Sequence, residues 1–203
     1  MARREAPEVN AGSMADIAFL LLIFFLVTTT IETDSGISRK LPEWQPEEQD
    51  PPVIKERNIF QVLVNANNQL LVEDEEMEIE ELRQAAVEFL DNGGGTGEEA
   101  CDFCQGAGDL ASSVNPTKAI ISLVNNRGTE YGTYIAVQNE LVAAYNQLRD
   151  REAERLFGTS FTAMEARYND SRTSEGDKET LKERIELIKD MIPQKLSEAE
   201  PTS

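Results

Sequence analysis

From Met14 to Ile31 the chain reads MADIAFLLLIFFLVTTTI, an apolar run whose one charge is Asp16. As a helix rising ~1.5 Å per residue it would span about 27 Å, close to the ~30 Å hydrocarbon core of a bilayer. Residues 32–57 then alternate acids and bases around Pro42, Pro46, Pro51 and Pro52, a composition that predicts an extended tether. From Asn58 the period changes. Residues 58–64 (NIFQVLV) read as a strand, 65–68 (NANN) as a turn and 69–72 (QLLV) as the returning strand. Across 78–90, Ile79, Leu82, Ala86 and Phe89 or Leu90 recur at helical spacing, with Glu78, Glu80, Glu81, Arg83 and Glu88 left for the wet side. Residues 119–124 (AIISLV), bounded by Pro116 and the turn 125–128, suit a buried strand, and 133–156 form a second helix striped by Ile135, Val142, Tyr145 and Leu148.

These elements predict a single N-terminal transmembrane helix at 14–31 behind a tail of residues 1–13. A small α+β domain follows at 58–157 in the order ββαβα, its sheet covered by two helices. Residues 91–116 are rich in glycine and carry Cys101 and Cys104, which reads as an inserted surface loop. Residues 158–203 are a polar extension with one amphipathic helix at 178–192, where Leu181, Ile185, Ile188 and Ile192 make a narrow stripe ended by Pro193. No strand is read after the second helix.

Composition narrows the function. Formal charge is −19, from 38 acidic and 19 basic residues. The clustered Lys and Arg that nucleic acid or anionic lipid surfaces require are missing. There is no histidine, which removes His-based acid/base chemistry and most catalytic zinc sites. No nucleophile elbow, P-loop or paired-carboxylate site stands in the sequence, so an enzyme is not expected, and no cofactor is implied.

The apolar run also has the length of a signal-peptide core, but Thr28, Thr29, Thr30, Ile31 and Glu32 offer no A-x-A-like cleavage site, which favours an uncleaved signal anchor. Arg3 and Arg4 precede it and Arg39 and Lys40 follow, a balance that leans towards a cytoplasmic N-terminus. A charge inside such a segment is an ion- or proton-site hypothesis by default. The competing reading is local: Ser13-Met14-Ala15-Asp16 fits an S/T-x-x-acid capping box, which would make Asp16 a first-turn carboxylate. If instead the helix begins near Pro7 or Val9, Gly12, Asp16, Leu20, Ile23, Val27 and Thr30 share one face, and Ala11, Ala15 and Ala18 form a strip allowing close helix contact.

Cys101 and Cys104 sit in C-x-x-C-x-G-x-G, similar to the repeat of DnaJ-type zinc modules. One repeat supplies two of the four ligands zinc wants, so zinc would need two copies meeting across a homodimer. A local disulfide or a reduced loop are the other readings, and no βαβ unit gives the pair a thioredoxin setting. The acidic run from Glu73 to Glu81 lacks the spaced ligands and glycine of a calcium loop and reads as a solvated strand-to-helix face. Trp44 in the tether fits either a membrane-interface anchor or a partner contact.

Val9-Asn10, then Ser13-Met14-Ala15-Asp16 and the apolar run, resemble the N-terminal signature of the ExbD/TolR family, whose members carry Asn-x-x-Pro-x-x-Asp before a transmembrane helix. Asn10 and Asp16 match the ends of that pattern, and Ser13 stands where the family often has proline. Leu41-Pro42 resembles the family's Leu-Pro element in the periplasmic tether, a possible partner contact. Tyr131-Gly132-Thr133 resembles its Tyr-rich helix start. The serine variant and the acidic tail resemble members from Bacteroidota-like bacteria. The resemblance spans residues 9–157; the insertion at 91–116 and the missing final strand depart from it. It implies a single-pass inner-membrane subunit with a periplasmic domain, paired as a homodimer, in which Asp16 carries the proton. The implied partners are an ExbB- or TolQ-like multi-helix channel subunit and a TonB-like transducer energising outer-membrane transport. A membrane-anchored adaptor that carries no ion is the alternative, and a secreted domain cut near residue 30 a third.

Overall fold

The computed structural model describes residues 11–28 and 54–199, which belong to two separate compact units. Asn10, Leu41, Pro42 and most of the expected tether lie outside the described residues.

The first unit contributes α1 (Ala11–Thr28, 18 residues). A run of Ala, Leu, Ile and Phe without proline satisfies its backbone internally. At ~1.5 Å per residue α1 is about 27 Å long. Every side chain from Met14 to Phe25 is exposed, and apolar groups lie all round the helix. Among the described residues no helix is long and apolar enough to cross a membrane, and the last three residues of the crossing expected at 14–31 lie beyond them. The helix differs from that expectation at its start, since Ala11, Gly12 and Ser13 are already helical.

The second unit is a small α+β domain on a mixed five-stranded sheet. Its strands are β1 (Ile59–Val64), β2 (Leu70–Val72), β3 (Glu75–Met77), β4 (Ile120–Asn125) and β5 (Leu196–Ala199), in the order β3-β2-β1-β4-β5. β2 runs antiparallel to both β1 and β3, whereas β4 is parallel to β1 and to β5. The period of two along β1 sends Phe60, Val62 and Val64 inward, and Ile121 and Leu123 of β4 share that face. The helices α2 (Ile79–Leu90) and α3 (Tyr131–Phe157) supply the rest of this main core. Fully burying a side chain such as Leu82 or Ile121 stabilises the domain by roughly 1.5–3 kcal/mol. The buried stripe of α3 is Val137, Leu141, Ala144, Tyr145 and Leu148; Ile135 and Val142 of the expected stripe are only half-buried.

The ββαβα order falls short in two places. β3 was expected as a solvated face, yet it pairs through Leu70↔Met77, Leu71↔Glu76 and Val72↔Glu75 after a tight turn in which Glu73 and Asp74 both take positive φ. The chain after 157 is not a polar extension with one helix. Gly158 ends α3 in the left-handed conformation, and Ser160 and Ser174 cap α4 (Phe161–Asn169) and α5 (Glu175–Met191) through their side chains. Phe161 and Met164 of α4, Leu181, Ile185 and Ile188 of α5, and Ala153 of α3 form a second core. β5 then returns to the sheet as the final strand that sequence patterning missed.

The segment 91–116 is likewise built against the domain. Gly94 and Gly95 donate to the carbonyls of Ser113 and Val114, Gly106 and Gly108 to those of Asp91 and Asn92. A Cβ on Gly94 would lie 2.1 Å from the Asp109 carbonyl oxygen, so glycine here serves close backbone approach rather than looseness.

Candidate functional site

Asp16 lies beyond the first turn of α1, because the helix already runs through Ala11 to Ser13. Ser13 is therefore inside the helix rather than at the non-helical N-cap position that a capping box uses. The favourable dipole effect on a carboxylate also fades past the first turn. With 3.6 residues per turn, Gly12, Asp16, Leu20 and Ile23 fall on one face of α1. The acid is exposed, as are Leu20 and Ile23 beside it. Among the described residues Asp16 has no ion pair and no side-chain hydrogen bond. No metal-ligand cluster accompanies it among the described residues.

The domain carries its charges differently. Four consecutive residues of α3 point to four places, as 100° per residue requires. Arg149, 5% exposed, donates from Nε and Nη2 to the Ile192 carbonyl at 3.0 and 2.9 Å, closing the end of α5, and stacks between the rings of Tyr145 and Phe161. Burial lowers its pKa from the usual guanidinium value, opposed by Glu165 and Tyr145. Asp150 accepts from the Thr162 backbone N–H at 2.8 Å at the start of α4. Arg151 forks onto Asp91 at 2.6 and 2.7 Å and reaches the Phe103 carbonyl, and the Asp91 hydrogen bond raises its pKa. Glu152 is 0% exposed and held by Arg151 and Arg155 at 3.2 and 2.7 Å.

Two further links hold the late elements. Gln138 donates to Tyr134 Oη and, at 2.6 Å, to Glu198 Oε1, tying the start of α3 to β5. Asn92 donates from Nδ2 to the carbonyls of Asp109 and Ser113 and accepts from the Asp109 N–H. Cys101 and Cys104 are joined by a disulfide, and no group of three or more metal-ligating residues stands among the described ones. Beside the segment lies a cleft of about 440 Å³, walled by Glu56, Glu73, Asp74 and Asp109 with Arg57. Sequence reasoning singled out none of the α3 cluster. Its one signal was the string Arg-Asp-Arg-Glu at 149–152 inside a helix expected to be amphipathic.

A family model described as biopolymer transport protein ExbD/TolR matches residues 2–149. The chain belongs to the ExbD/TolR family. Among curated proteins it is similar to biopolymer transport protein exbD2 of Vibrio cholerae serotype O1, at 30% identity over 88 residues. That alignment covers 43% of this chain and spans 61% of the relative's length. The match to the family ends at residue 149, inside α3, so α4, α5 and β5 all lie past it. Arg149, the last matched residue, is the one that reaches across to Ile192 at the end of α5.

Proposed function

We propose that this chain is the proton-carrying subunit of an inner-membrane energy transducer, with α1 continuing into a single membrane crossing and Asp16 as the titrating group. The N-terminus is cytoplasmic, and the α+β domain works in the periplasm on a Pro-rich tether. Asp16 faces an ExbB- or TolQ-like ring of helices. Two copies of the chain act together, and Leu41-Pro42 lies in the part of the tether that meets partners.

The observation that carries this reading is a carboxylate past the first turn of a helix that is apolar all round, where capping does not account for it. An ionised Asp within a bilayer costs about 2.5–3.5 kcal/mol at mid-helix, less nearer the interface, and protonation removes most of that cost. Each proton gained or lost therefore changes which surroundings α1 prefers, the polar interior of a helix ring or an apolar one. Rotation or displacement of α1 passes through the tether to the domain, which acts on a TonB-like protein to drive outer-membrane transport.

The test is Asp16→Asn in cells dependent on this subunit, with assembly measured by co-purification of the multi-helix partner. The expected result is a chain that inserts and assembles normally but supports no uptake driven by the proton motive force. Normal uptake by the Asn variant would sink the proposal in favour of an adaptor that carries no ion, since Asn hydrogen-bonds but does not titrate.

A further inference from the structure

The disulfide between Cys101 and Cys104 joins residues three apart in sequence. Loop-closure stabilisation grows with the logarithm of the loop, so this ring restricts the unfolded chain less than a long-range bridge would. Its effect is local. Both cysteines are half-buried, Asp102 is exposed, and so is everything from Gln105 to Leu110, which leaves the pair on a turn that solvent and a partner can reach.

What the ring shapes is the placement of Phe103. Its side chain packs against the main core, and its carbonyl accepts from Arg151 Nη2 at 3.3 Å, the same guanidinium that forks onto Asp91. The backbone N–H of Cys104 donates to Cys101 Sγ at 3.1 Å. The flanks hold without sulfur: Asn92 pins Asp109 and Ser113, and Arg57 donates to the Leu110 carbonyl at 2.7 Å. The segment is thus a small disulfide ring between anchors that do not depend on it.

We infer that Cys101 and Cys104 form a reversible thiol–disulfide exchange site for a dithiol partner, and that the state of the pair decides whether the turn carrying Phe103 is held on α3. In the reducing direction a partner thiolate attacks one sulfur, forming a mixed disulfide and displacing the other cysteine as thiolate. The partner's second thiolate then attacks its own sulfur in that mixed disulfide and releases the second cysteine. Two electrons enter this chain, the partner leaves as a disulfide, and solvent supplies two protons as the thiolates reprotonate. Oxidation reverses these steps.

The experiment incubates the full chain, without denaturant, with dithiothreitol as a small dithiol and in parallel with a reduced thioredoxin-type protein. Free thiols are alkylated and counted by mass, and hydrogen exchange is followed over 91–125. Both cysteines should become labelled together, and amides of 101–108 should exchange about tenfold faster or more while β1 and β4 keep their protection. Fast reaction with dithiothreitol makes a pool of small dithiols sufficient; reaction only with the protein assigns the role to a dedicated dithiol protein, and either supports the site. Labelling only after denaturation, or loss of β1 and β4 protection on reduction, would make the disulfide purely structural. The double variant C101S/C104S should show the fast exchange permanently. If its turn exchanges as slowly as the oxidised chain, the pair does not hold the turn and the inference fails.

Discussion

In α3, each buried charge is answered within hydrogen-bond distance: Arg149 by the Ile192 carbonyl, Glu152 by Arg151 and Arg155. In α1 a single carboxylate stands among leucines, isoleucines and phenylalanines with no described side chain to answer it. Taking an ion out of water costs several kcal/mol, and geometry of the α3 kind offsets it, at the expense of fixing each element to one position. A charge settled in this way resists movement. On the function proposed above the unanswered one is a switch, so one chain would use helix-borne charges in two different ways.

The sharpest way to break the comparison is to remove each charge and ask what is lost. Asp16→Asn should abolish uptake driven by the proton motive force and leave the domain's melting temperature unchanged. Asp16→Glu, which still titrates, should retain part of the activity. A melting temperature that falls in D16N would mean the acid is a fastening after all. Arg149→Ala should act in the opposite sense. It leaves the Ile192 carbonyl without its donor and opens space between Tyr145 and Phe161, for an expected loss of roughly 2–4 kcal/mol. Chemical denaturation should show this, and hydrogen exchange should place the damage in α5 and β5 before β1. A variant within experimental error of the parent would show that the second core holds without the clasp.

A smaller effect probes the segment 91–116. Gly94→Ala sets a methyl against the Asp109 carbonyl, and the backbone must shift to relieve it, at about 1–3 kcal/mol. Were the segment a loose surface loop, the substitution would be neutral or slightly stabilising by denaturation midpoint, because alanine restricts the unfolded chain.

Legibility in the sequence follows the same division. β1 and α2 could be read because the residues they bury are the residues their periods mark, Phe60, Val62 and Val64 or Leu82, Ala86 and Leu90. β3 could not, since an edge strand is held by backbone pairing and Glu75 and Glu76 hide it behind exposed side chains. β5 offers only Leu196 and Ala199 as apolar residues, and its place is set by β4, Gln138 and Tyr145 from far along the chain. The glycines of 91–116 announced the loop but not that Gly94, Gly95 and Gly106 bring its backbone close to neighbouring segments. Asp16 was visible because its anomaly is one of composition, a charge in an apolar run. The α3 cluster was invisible because a charged string normally lies in water, and only the tertiary fold turns Arg149 and Glu152 inward.

The smallest effect sharpens the comparison by making a settled group titrate. Tyr145 is fully buried, its hydroxyl donating to the Lys195 carbonyl at 3.3 Å where the chain turns into β5. Burial pushes its pKa well above the ordinary phenol value near 10, with Arg149 pulling weakly the other way. The folded state therefore holds this proton more tightly than the unfolded state. The contribution is whole below about pH 10 and is lost as pH climbs from there towards the folded value, by at most about 1.36 kcal/mol per pH unit. Tyr145→Phe should cost about 0.5–1.5 kcal/mol at neutral pH through the lost hydrogen bond, and should flatten the fall in stability between pH 10 and 11 relative to the parent. Denaturation midpoints of the two chains across that range decide it. Parallel curves would mean that Tyr145 is not the group that unfastens, and that alkaline loss begins elsewhere in the domain.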